Sequence, residues 1–268
     1  MSLRDRLRRD RTPAEPRHDA GVRDFAASGW NNPTTGEILP GLDAPDGCVV
    51  LDIGCGEQPH SAFFMDRDVR IILADIDPAV LSAGATASRG KGDVATLETL
   101  LTDTDPLPLP DASVDRIVCT EVLEHVADPR QFLGELVRVA RPGARILLAV
   151  PDHRCEELQK VFAAPEHFLP PNHIRVFDPG ELIGLAESFG LEVTHQQFDG
   201  FFHTLWWLFF WISAQPDLRP PWAPLLESWS QTWDILLDTD RGLALKHELD
   251  QVLPKSEIIV AVKPEIPG

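Results

Sequence analysis

Short apolar segments alternate with amphipathic segments through most of this chain. Four apolar segments are rich in Val, Ile and Leu and have the length of buried strands: residues 48–53, 69–75, 115–122 and 144–151. Two segments between them begin like helices. Residues 78–86 start with Pro78, and residues 129–143 follow Asp128, whose side chain can cap the first turn. Helices between buried strands predict a doubly wound α/β fold with a mostly parallel sheet.

The pattern is less regular after residue 151. Residues 152–177 show no clear periodicity. A helix is predicted over residues 178–190, with Asp178 as its cap and Gly190 closing it. Two further strands are predicted at residues 191–198 and 256–264.

A long segment separates these last two strands. Residues 199–255 contain six of the seven tryptophans and the apolar run LWWLFFWI at residues 205–212. A segment of this length inside a domain usually has structure of its own, so we predict a helical insertion that forms a buried lid. Other interpretations are a homodimer contact through residues 201–215, an aromatic platform for a sugar and a lipid-facing anchor. The apolar run is too short to span a bilayer.

Composition and charge narrow the classes of function. The net charge is −18 and the pI is about 4.8, which disfavours nucleic acid and anionic membranes as partners. The four cysteines lack metal-ligand spacing, and the first residues lack the apolar stretch of a signal peptide. We therefore expect reduced thiols in a cytoplasmic protein.

We predict one domain over residues 25–268, after a mobile tail rich in Arg and Pro at residues 1–24. The core of the domain comprises residues 45–198 and 256–264, and the insertion at residues 199–255 serves as its lid. A short helix is predicted near residues 22–30. The segment around Trp30 and the insertion are expected to cover the active site.

The sequence LDIGCGEQPH at residues 51–60 has the character of a nucleotide-binding turn. A strand runs into Asp52, and Gly54 and Gly56 follow, so the backbone can approach a ligand closely. Asp75 ends the next strand, 19 residues after Gly56, where an acid can accept hydrogen bonds from a ribose diol. A dinucleotide fold would place a small residue where Pro59 stands.

The acid within the turn favours one ligand over another. Asp52 would repel a pyrophosphate, whereas S-adenosylmethionine carries an ammonium and a sulfonium and no phosphate. An NAD-dependent oxidoreductase remains an alternative, although this sequence lacks one small residue of the NAD-binding motif.

Residues 49–151 resemble class I S-adenosylmethionine-dependent methyltransferases of the small-molecule type. Four blocks carry the resemblance in order: VLDIGCGEQP, ILADIDPAVL, LTDTDPLPLPDASVDRIVCTEVLEHV and FLGELVRVARPGARILLAVP. The sequence departs from the usual motif at Gln58, in a GCGxxP form similar to that of enzymes from bacterial glycan and secondary-metabolite clusters. The family fold implies that the last two strands form an antiparallel pair.

The resemblance also implies cofactor-binding residues. Asp75 would bind the ribose, with Ile76 beside it. Asp103 would meet the adenine amino group, although Asp105 is a near neighbour. Thr104 would offer its backbone N–H to the ring, and Glu121 would lie on the methionine side. Asp52, Gly54 and Gly56 complete this predicted set.

An alcohol acceptor needs a base to remove its proton, and the candidates are His153, His167 and His173. His125 lies near the cofactor in this family, where it is more often structural. Two histidines with Glu166 could hold a divalent metal, but their spacing matches no firm signature, and no metal site is predicted.

The sequence thus predicts methyl transfer from S-adenosylmethionine to a small-molecule acceptor, with S-adenosylhomocysteine as product. A hydroxyl of a sugar, glycan or secondary metabolite is the favoured acceptor. The alternative outside this class is a protein of the same fold that binds the cofactor without transferring a methyl group.

Overall fold

Seven strands form one sheet in a computed structural model that describes residues 19–213 and 215–265. The strands are β1 (Val49–Ile53), β2 (Arg70–Asp75), β3 (Thr96–Leu101), β4 (Val114–Thr120), β5 (Ala140–Pro151), β6 (Glu192–Asp199) and β7 (Ser256–Val262). Their order across the sheet is β3-β2-β1-β4-β5-β7-β6. Residues 1–18 of the predicted tail, residue 214 of the predicted dimer segment and residues 266–268 lie outside the described residues.

Pairing within the sheet confirms the predicted fold class. β1, β2, β3, β4 and β5 pair in parallel, and β7 runs antiparallel to both β5 and β6. Strand β1 lies inside the sheet and is buried from Val50 onward, with Leu51 opposite Ile72 of β2 and Ile117 of β4. Apolar side chains cover both faces of the sheet in two clusters, as expected for strands buried between helices.

Eight α-helices accompany the sheet in the described residues. They are α1 (Asp19–Ala27), α2 (Pro78–Arg89), α3 (Pro129–Val139), α4 (His153–Phe162), α5 (Glu181–Glu187), α6 (Phe201–Ile212), α7 (Pro224–Leu237) and α8 (Gly242–Val252). Two short 3-10 helices lie at His60–Phe64 and Pro165–Phe168. Asp128 caps α3 as predicted, because its side chain accepts hydrogen bonds from the N–H groups of Arg130 and Gln131.

Several predicted boundaries were wrong. The segment at 152–177 is not irregular throughout, since α4 occupies its first part, with Asp152 as the cap. The cap of α5 is Gly180 instead of Asp178. The helix predicted over residues 129–143 ends at Val139, because the chain enters β5 directly at Ala140.

Strand β3 was not predicted from the apolar pattern. It is the edge strand of the sheet, and its residues are mostly exposed or half-buried. An edge strand of this kind need not carry a continuous apolar run, so the signal that identifies buried strands is missing.

Helix α1 packs on the insertion, so residues 19–24 belong to the folded structure instead of the predicted mobile tail. Asp24 is fully buried and accepts a hydrogen bond from Nε1 of Trp233 at 2.8 Å. Arg23 pairs with Asp234 across the same contact, at 2.9 Å between Nη1 and Oδ1. The insertion predicted at residues 199–255 consists of α6, α7 and α8.

The remaining sequence expectations concern thiols and membranes. All four cysteines are free, and three of them are buried. None of the described helices combines the length and apolar character needed to cross a membrane.

Candidate active site

The loop after β1 lies so close to its neighbours that one position has no room for a side chain. Gly54 and Gly56 have φ angles of +63° and +62°, in the region that favours glycine. A Cβ at Gly54 would lie 2.2 Å from Cγ2 of Val122, whereas a Cβ at Gly56 would meet no atom within 4 Å. Packing therefore demands glycine at position 54, and Gly56 borders open space.

A glycine of α2 completes the contact between helix and loop. A Cβ at Gly84 would lie 2.4 Å from the carbonyl oxygen of Gly56 and 3.2 Å from Cγ of Pro59. Pro59 therefore fits in the loop, because the small residue of this helix–loop contact is Gly84 of α2 instead of a residue of the loop. Sequence reasoning missed Gly84, although a glycine inside a helix is a signal of close packing.

Asp52 connects the glycine loop to the 3-10 helix that follows it. It is 2% exposed, and its Oδ2 accepts a hydrogen bond from the N–H of Ser61 at 2.9 Å. Burial raises the pKa of Asp52 to about 6, against the opposing effect of the hydrogen bond from the Ser61 N–H. The carboxylate thus holds the 3-10 helix under the loop, and direct contact with a cofactor stays a prediction.

Asp75 and Ile76 lie beside the glycine loop at the end of β2. The Oδ2 atom of Asp75 accepts the N–H of Gly56 at 3.2 Å, and its Oδ1 accepts the N–H of Asp77 at 3.0 Å. Both oxygens are thereby fixed at the edge of the sheet. Ile76 is 71% exposed. A fixed carboxylate next to an exposed apolar side chain suits a ligand that carries a diol and a flat ring.

Asp103 and Thr104 form a tight turn after β3. Thr104 is buried with a φ of +68°, and its N–H donates to Oγ1 of Thr102 at 2.9 Å. The exposed Asp103 accepts the N–H of Asp105 on Oδ1 at 3.1 Å. The predicted hydrogen bond from Thr104 to a ligand therefore requires Thr102 to release that N–H.

Glu121 follows β4 with a φ of +56°. Its carboxylate accepts hydrogen bonds from the Lys255 ammonium and, at 2.8 Å, from Oγ of Ser256. Burial opposes ionisation, but Lys255 and then Ser256 outweigh it, with a smaller contribution from His173, and hold the pKa of Glu121 below its usual value. Sequence reasoning missed both of these partners, which lie at the start of β7.

Two of the three predicted base candidates lie together. The ring centroids of His167 and His173 are 4.4 Å apart, and Trp211 of α6 lies 5.2 Å from His167. The Nδ1 atom of His173 is 2.8 Å from Oε2 of Glu156 on α4. Burial lowers the pKa of His167 to about 4, and the adjacent His173 acts in the same direction.

His153 lies apart from this pair at the start of α4, where its Nδ1 is 3.5 Å from Oδ1 of Asp178. His125 instead joins the pair, with its ring centroid 5.0 Å from that of His173. Two buried carboxylates beside these rings, Glu124 and Glu156, were missed by sequence reasoning. Glu124 directly precedes His125, and its position after a buried strand was the only signal available.

These groups share one edge of the sheet. The glycine loop follows β1, Asp75 is the last residue of β2, and Glu121 follows β4, so all three lie at the carboxyl ends of these strands. β1 and β4 are neighbours, although the chain passes through β2 and β3 between them. Ligands of open α/β sheets bind at such a reversal of strand order, outside the carboxyl ends of the strands.

Comparison with known proteins relates this edge to a family. Residues 51–148 match a family model described as a methyltransferase domain. A Mycolicibacterium smegmatis protein, described as a probable S-adenosylmethionine-dependent methyltransferase, is 34% identical over 146 residues that cover 54% of this chain and 52% of that protein. Residues 51–148 are thus a methyltransferase domain, in agreement with the predicted resemblance to class I S-adenosylmethionine-dependent methyltransferases.

Other relatives of the methyltransferase domain differ in the atom they methylate. A ubiquinone/menaquinone biosynthesis C-methyltransferase from an Enterobacter strain is 34% identical, with 53% of this chain and 59% of that protein covered. A ubiquinone biosynthesis O-methyltransferase from Idiomarina loihiensis is 26% identical, with 53% and 61% covered. The chain spans only 52% to 61% of the length of these three relatives.

Solved structures share the fold of the methyltransferase domain at low identity. A Methanosarcina mazei S-adenosylmethionine-dependent methyltransferase has a TM-score of 0.53 at 18% identity, covering 83% of this chain and 95% of its own. The 4+2 cyclase SpnF has a TM-score of 0.56 at 17% identity, covering 92% and 94%. Since the second is described as a cyclase, the fold alone does not fix the chemistry.

S-adenosylmethionine is the cofactor of the methyltransferase domain. The residues present fit it, because the space beside Gly56 is open and the carboxylate of Asp75 is fixed next to the exposed Ile76. The roles of the individual residues toward the cofactor remain predictions.

Proposed function

We propose that this protein transfers a methyl group from S-adenosylmethionine to a hydroxyl oxygen of a small-molecule acceptor. One observation carries the proposal. The imidazole of His173 is held by Glu156 at 2.8 Å, and the next residue, Ile174, donates its N–H at 3.0 Å to the carbonyl of Glu124, three residues after Glu121. A histidine oriented by a carboxylate therefore stands beside the predicted methionine side of the cofactor site.

The contact with Glu156 determines which ring nitrogen of His173 can accept a proton. A carboxylate oxygen accepts hydrogen bonds, so the proton of a neutral His173 lies on Nδ1 and points to Glu156. Nε2 then keeps its lone pair for an acceptor hydroxyl. When bound, S-adenosylmethionine supplies a methyl group on a positively charged sulfur, so the protein has mainly to align and activate the acceptor.

The neighbours of His173 favour a shielded acceptor. His167 has a pKa of about 4 because of its burial and the adjacent His173, so its ring is neutral at physiological pH. Trp211 packs near that ring, and its Nε1 donates to Oε1 of Gln159 at 3.1 Å. The insertion thus contributes a wall of the proposed acceptor site. His153 lies apart and is a weaker candidate for the base.

A sugar or glycan hydroxyl remains our favoured acceptor, supported by the GCGxxP form of the loop and by Trp211 at the histidines. Methylation of carbon is the alternative within the enzyme class. A protein that binds the cofactor without methyl transfer is the alternative outside it. The NAD-dependent oxidoreductase considered from the sequence has no support from the family match.

Three smaller expectations accompany this function. We propose a cytoplasmic location, in keeping with the free cysteines. We propose that the described residues from α1 onward form a single domain, with α6, α7 and α8 as its lid. We also propose a homodimer through residues 201–215, and light scattering of the 29.7 kDa chain tests it. The test is needed because α6 already packs against four helices of its own chain and buries Phe202, Leu208 and Phe210.

The cofactor site is tested by calorimetric titration with S-adenosylhomocysteine. Asp75→Ala removes the charged acceptor predicted for the ribose, a loss of roughly 1.5–3 kcal/mol, so binding should weaken at least about tenfold. Asp66→Ala is the matched control, since the Asp66 side chain is 75% exposed in the loop before β2. Equal affinities of the two variants would refute the site, and no binding by the wild type would refute the function.

Methyl transfer itself is tested by screening sugars, glycans and small alcohols as acceptors. The readout is S-adenosylhomocysteine released only when the acceptor is present. His173→Ala should lower kcat far more than the affinity for the cofactor. A product methylated on carbon would overturn the hydroxyl assignment, and cofactor binding without turnover across the screen would favour the binding-only alternative.

A further inference from the structure

We propose that Glu124, His125 and His173 bind a divalent transition-metal ion at the acceptor side of the cofactor site. One potential ligand atom from each of the three residues lies within 4.8 Å of the other two. The segment that follows β4 supplies Glu124 and His125, and the chain between α4 and α5 supplies His173. Hydrogen bonds hold the segments together, since the N–H of Ile174 donates to the carbonyl of Glu124 at 3.0 Å.

Glu124 is the first reason to place a cation here. Its residue is 0% exposed, and neither carboxylate oxygen has a hydrogen-bond partner among the described residues. A buried carboxylate without hydrogen bonds is costly, and a bound metal ion is one of the few partners that compensates it.

The hydrogen bonds of the two histidines are the second reason. Nδ1 of His125 lies 3.0 Å from the carbonyl oxygen of Pro171, and Nδ1 of His173 lies 2.8 Å from Oε2 of Glu156. A carbonyl or carboxylate oxygen can only accept, so both rings carry their proton on Nδ1 and leave Nε2 with a lone pair. Histidines that bind metals are held in this way by a carbonyl or carboxylate behind the ring.

One pair of donor atoms already lies close to the spacing that a metal ion requires. Nε2 of His125 is 3.7 Å from Oε1 of Glu124. Ligands of a tetrahedral zinc ion stand about 3.3 Å apart, because each lies roughly 2.0 Å from the metal. Two imidazoles with one carboxylate favour zinc, iron, cobalt or manganese over magnesium or calcium, which prefer oxygen ligands.

A second trio, Glu156, His167 and His173, also lies within the 4.8 Å limit and shares His173. We place the ion at the first trio because Glu156 already accepts hydrogen bonds on both oxygens. Nε2 of Gln159 donates to Oε1 at 3.2 Å, and His173 contacts Oε2 at 2.8 Å. Glu124 has no such partners in the described part of the chain.

The role of the ion rests on the proposed function, whereas the site itself does not. Three protein ligands leave a coordination position open, and a hydroxyl bound there has a lower pKa, so it loses its proton to solvent more readily. With the ion bound, the Nε2 lone pair of His173 would bind the metal, and the metal would activate the hydroxyl, so His173 would act as the base proposed above only in the metal-free protein. An acceptor with oxygens positioned to coordinate a metal is the substrate class that this site would take.

The test is a calorimetric titration of EDTA-treated, dialysed protein with Zn²⁺, Mn²⁺ and Co²⁺, with Mg²⁺ for comparison. We expect one transition-metal ion per chain, and at least tenfold weaker binding by both Glu124→Gln and His125→Ala. His247→Ala is the control, since that histidine lies on α8 and contacts the carbonyl of Ala27. Unchanged binding in both site variants, or no binding by the wild type, would overturn the proposal.

Two further measurements separate the possible failures. S-adenosylhomocysteine binding by the same samples checks that each variant is folded. It also separates the two hypotheses, because cofactor binding without metal binding removes only the metal site, and metal binding without cofactor binding removes only the proposed function. Loss of metal binding in His167→Ala together with full binding in Glu124→Gln would move the ion to the second trio and overturn our assignment.

Discussion

Replacement of Gly54 by alanine tests the packing of the cofactor loop on the segment after β4. The new side chain would be strained in two ways. A φ of +63° costs an L-residue about 1–2 kcal/mol. The added Cβ would also lie 2.2 Å from Cγ2 of Val122, well inside the usual carbon contact of about 3.5–4.0 Å.

Relief of that overlap requires the loop or Val122 to move by more than about 1 Å, and overpacking of this kind costs about 1–3 kcal/mol. Gly54→Ala should therefore lower the free energy of unfolding by about 2–5 kcal/mol. Gly56→Ala is the matched control. Its φ of +62° is nearly the same, but its Cβ would meet no atom within 4 Å, so only the backbone cost of about 1–2 kcal/mol remains.

The assay is urea unfolding followed by tryptophan fluorescence, with the midpoint and slope compared between variants. The double variant Gly54→Ala/Val122→Ala should be more stable than the sum of the two single losses predicts, by at least about 1 kcal/mol, because the methyl group that collides is gone. Equal losses in Gly54→Ala and Gly56→Ala would refute the reasoning, since they would show that the Val122 contact has no energetic effect.

Two further predictions concern buried charges around the insertion. Lys246→Met should lower the free energy of unfolding by about 3–5 kcal/mol, because the buried Lys246 ammonium bonds to Asp250 at 2.5 Å and that carboxylate would lose its cation. The same urea assay checks this, with the exposed Lys91→Met as control, and a loss no larger than that of the control would contradict it. Asp199 has a pKa raised to about 6, first by burial, so the folded state binds more protons than the unfolded state between pH 4 and 6. Wild-type stability should therefore fall as the pH rises through this window, and Asp199→Asn should gain up to about 3 kcal/mol relative to wild type between pH 4 and pH 7. A constant difference between the two proteins across these pH values would show that the folded-state pKa is not raised.

The sequence by itself determined the parts of this protein that depend on local patterns. Continuous apolar runs indicated the buried strands β1, β2, β4 and β5, and Asp128 marked the start of α3. The turn at Gly54 and Gly56 could be predicted because positive φ angles and close backbone approach require glycine wherever they occur. The cofactor followed from the motifs of the domain, which lie in a continuous stretch of about 100 residues.

Tertiary structure decided what is built from residues far apart in the chain. The edge strand β3 and helix α4 lack a strong apolar pattern, so their neighbours in the fold define them. Gly84 meets the loop only because α2 packs across it. Glu121 meets Lys255 only because β4, β5 and β7 lie side by side.

The histidine site shows most clearly that local sequence patterns do not reveal contacts between residues far apart in the chain. His125 and His173 were visible in the sequence, but nothing local showed that their rings lie 5.0 Å apart beside the buried Glu124. Their separation in space depends on the order of strands across the sheet and on the path between α4 and α5. Local patterns record burial and turn geometry, whereas a site assembled from several strand ends depends on long-range packing that no single segment encodes.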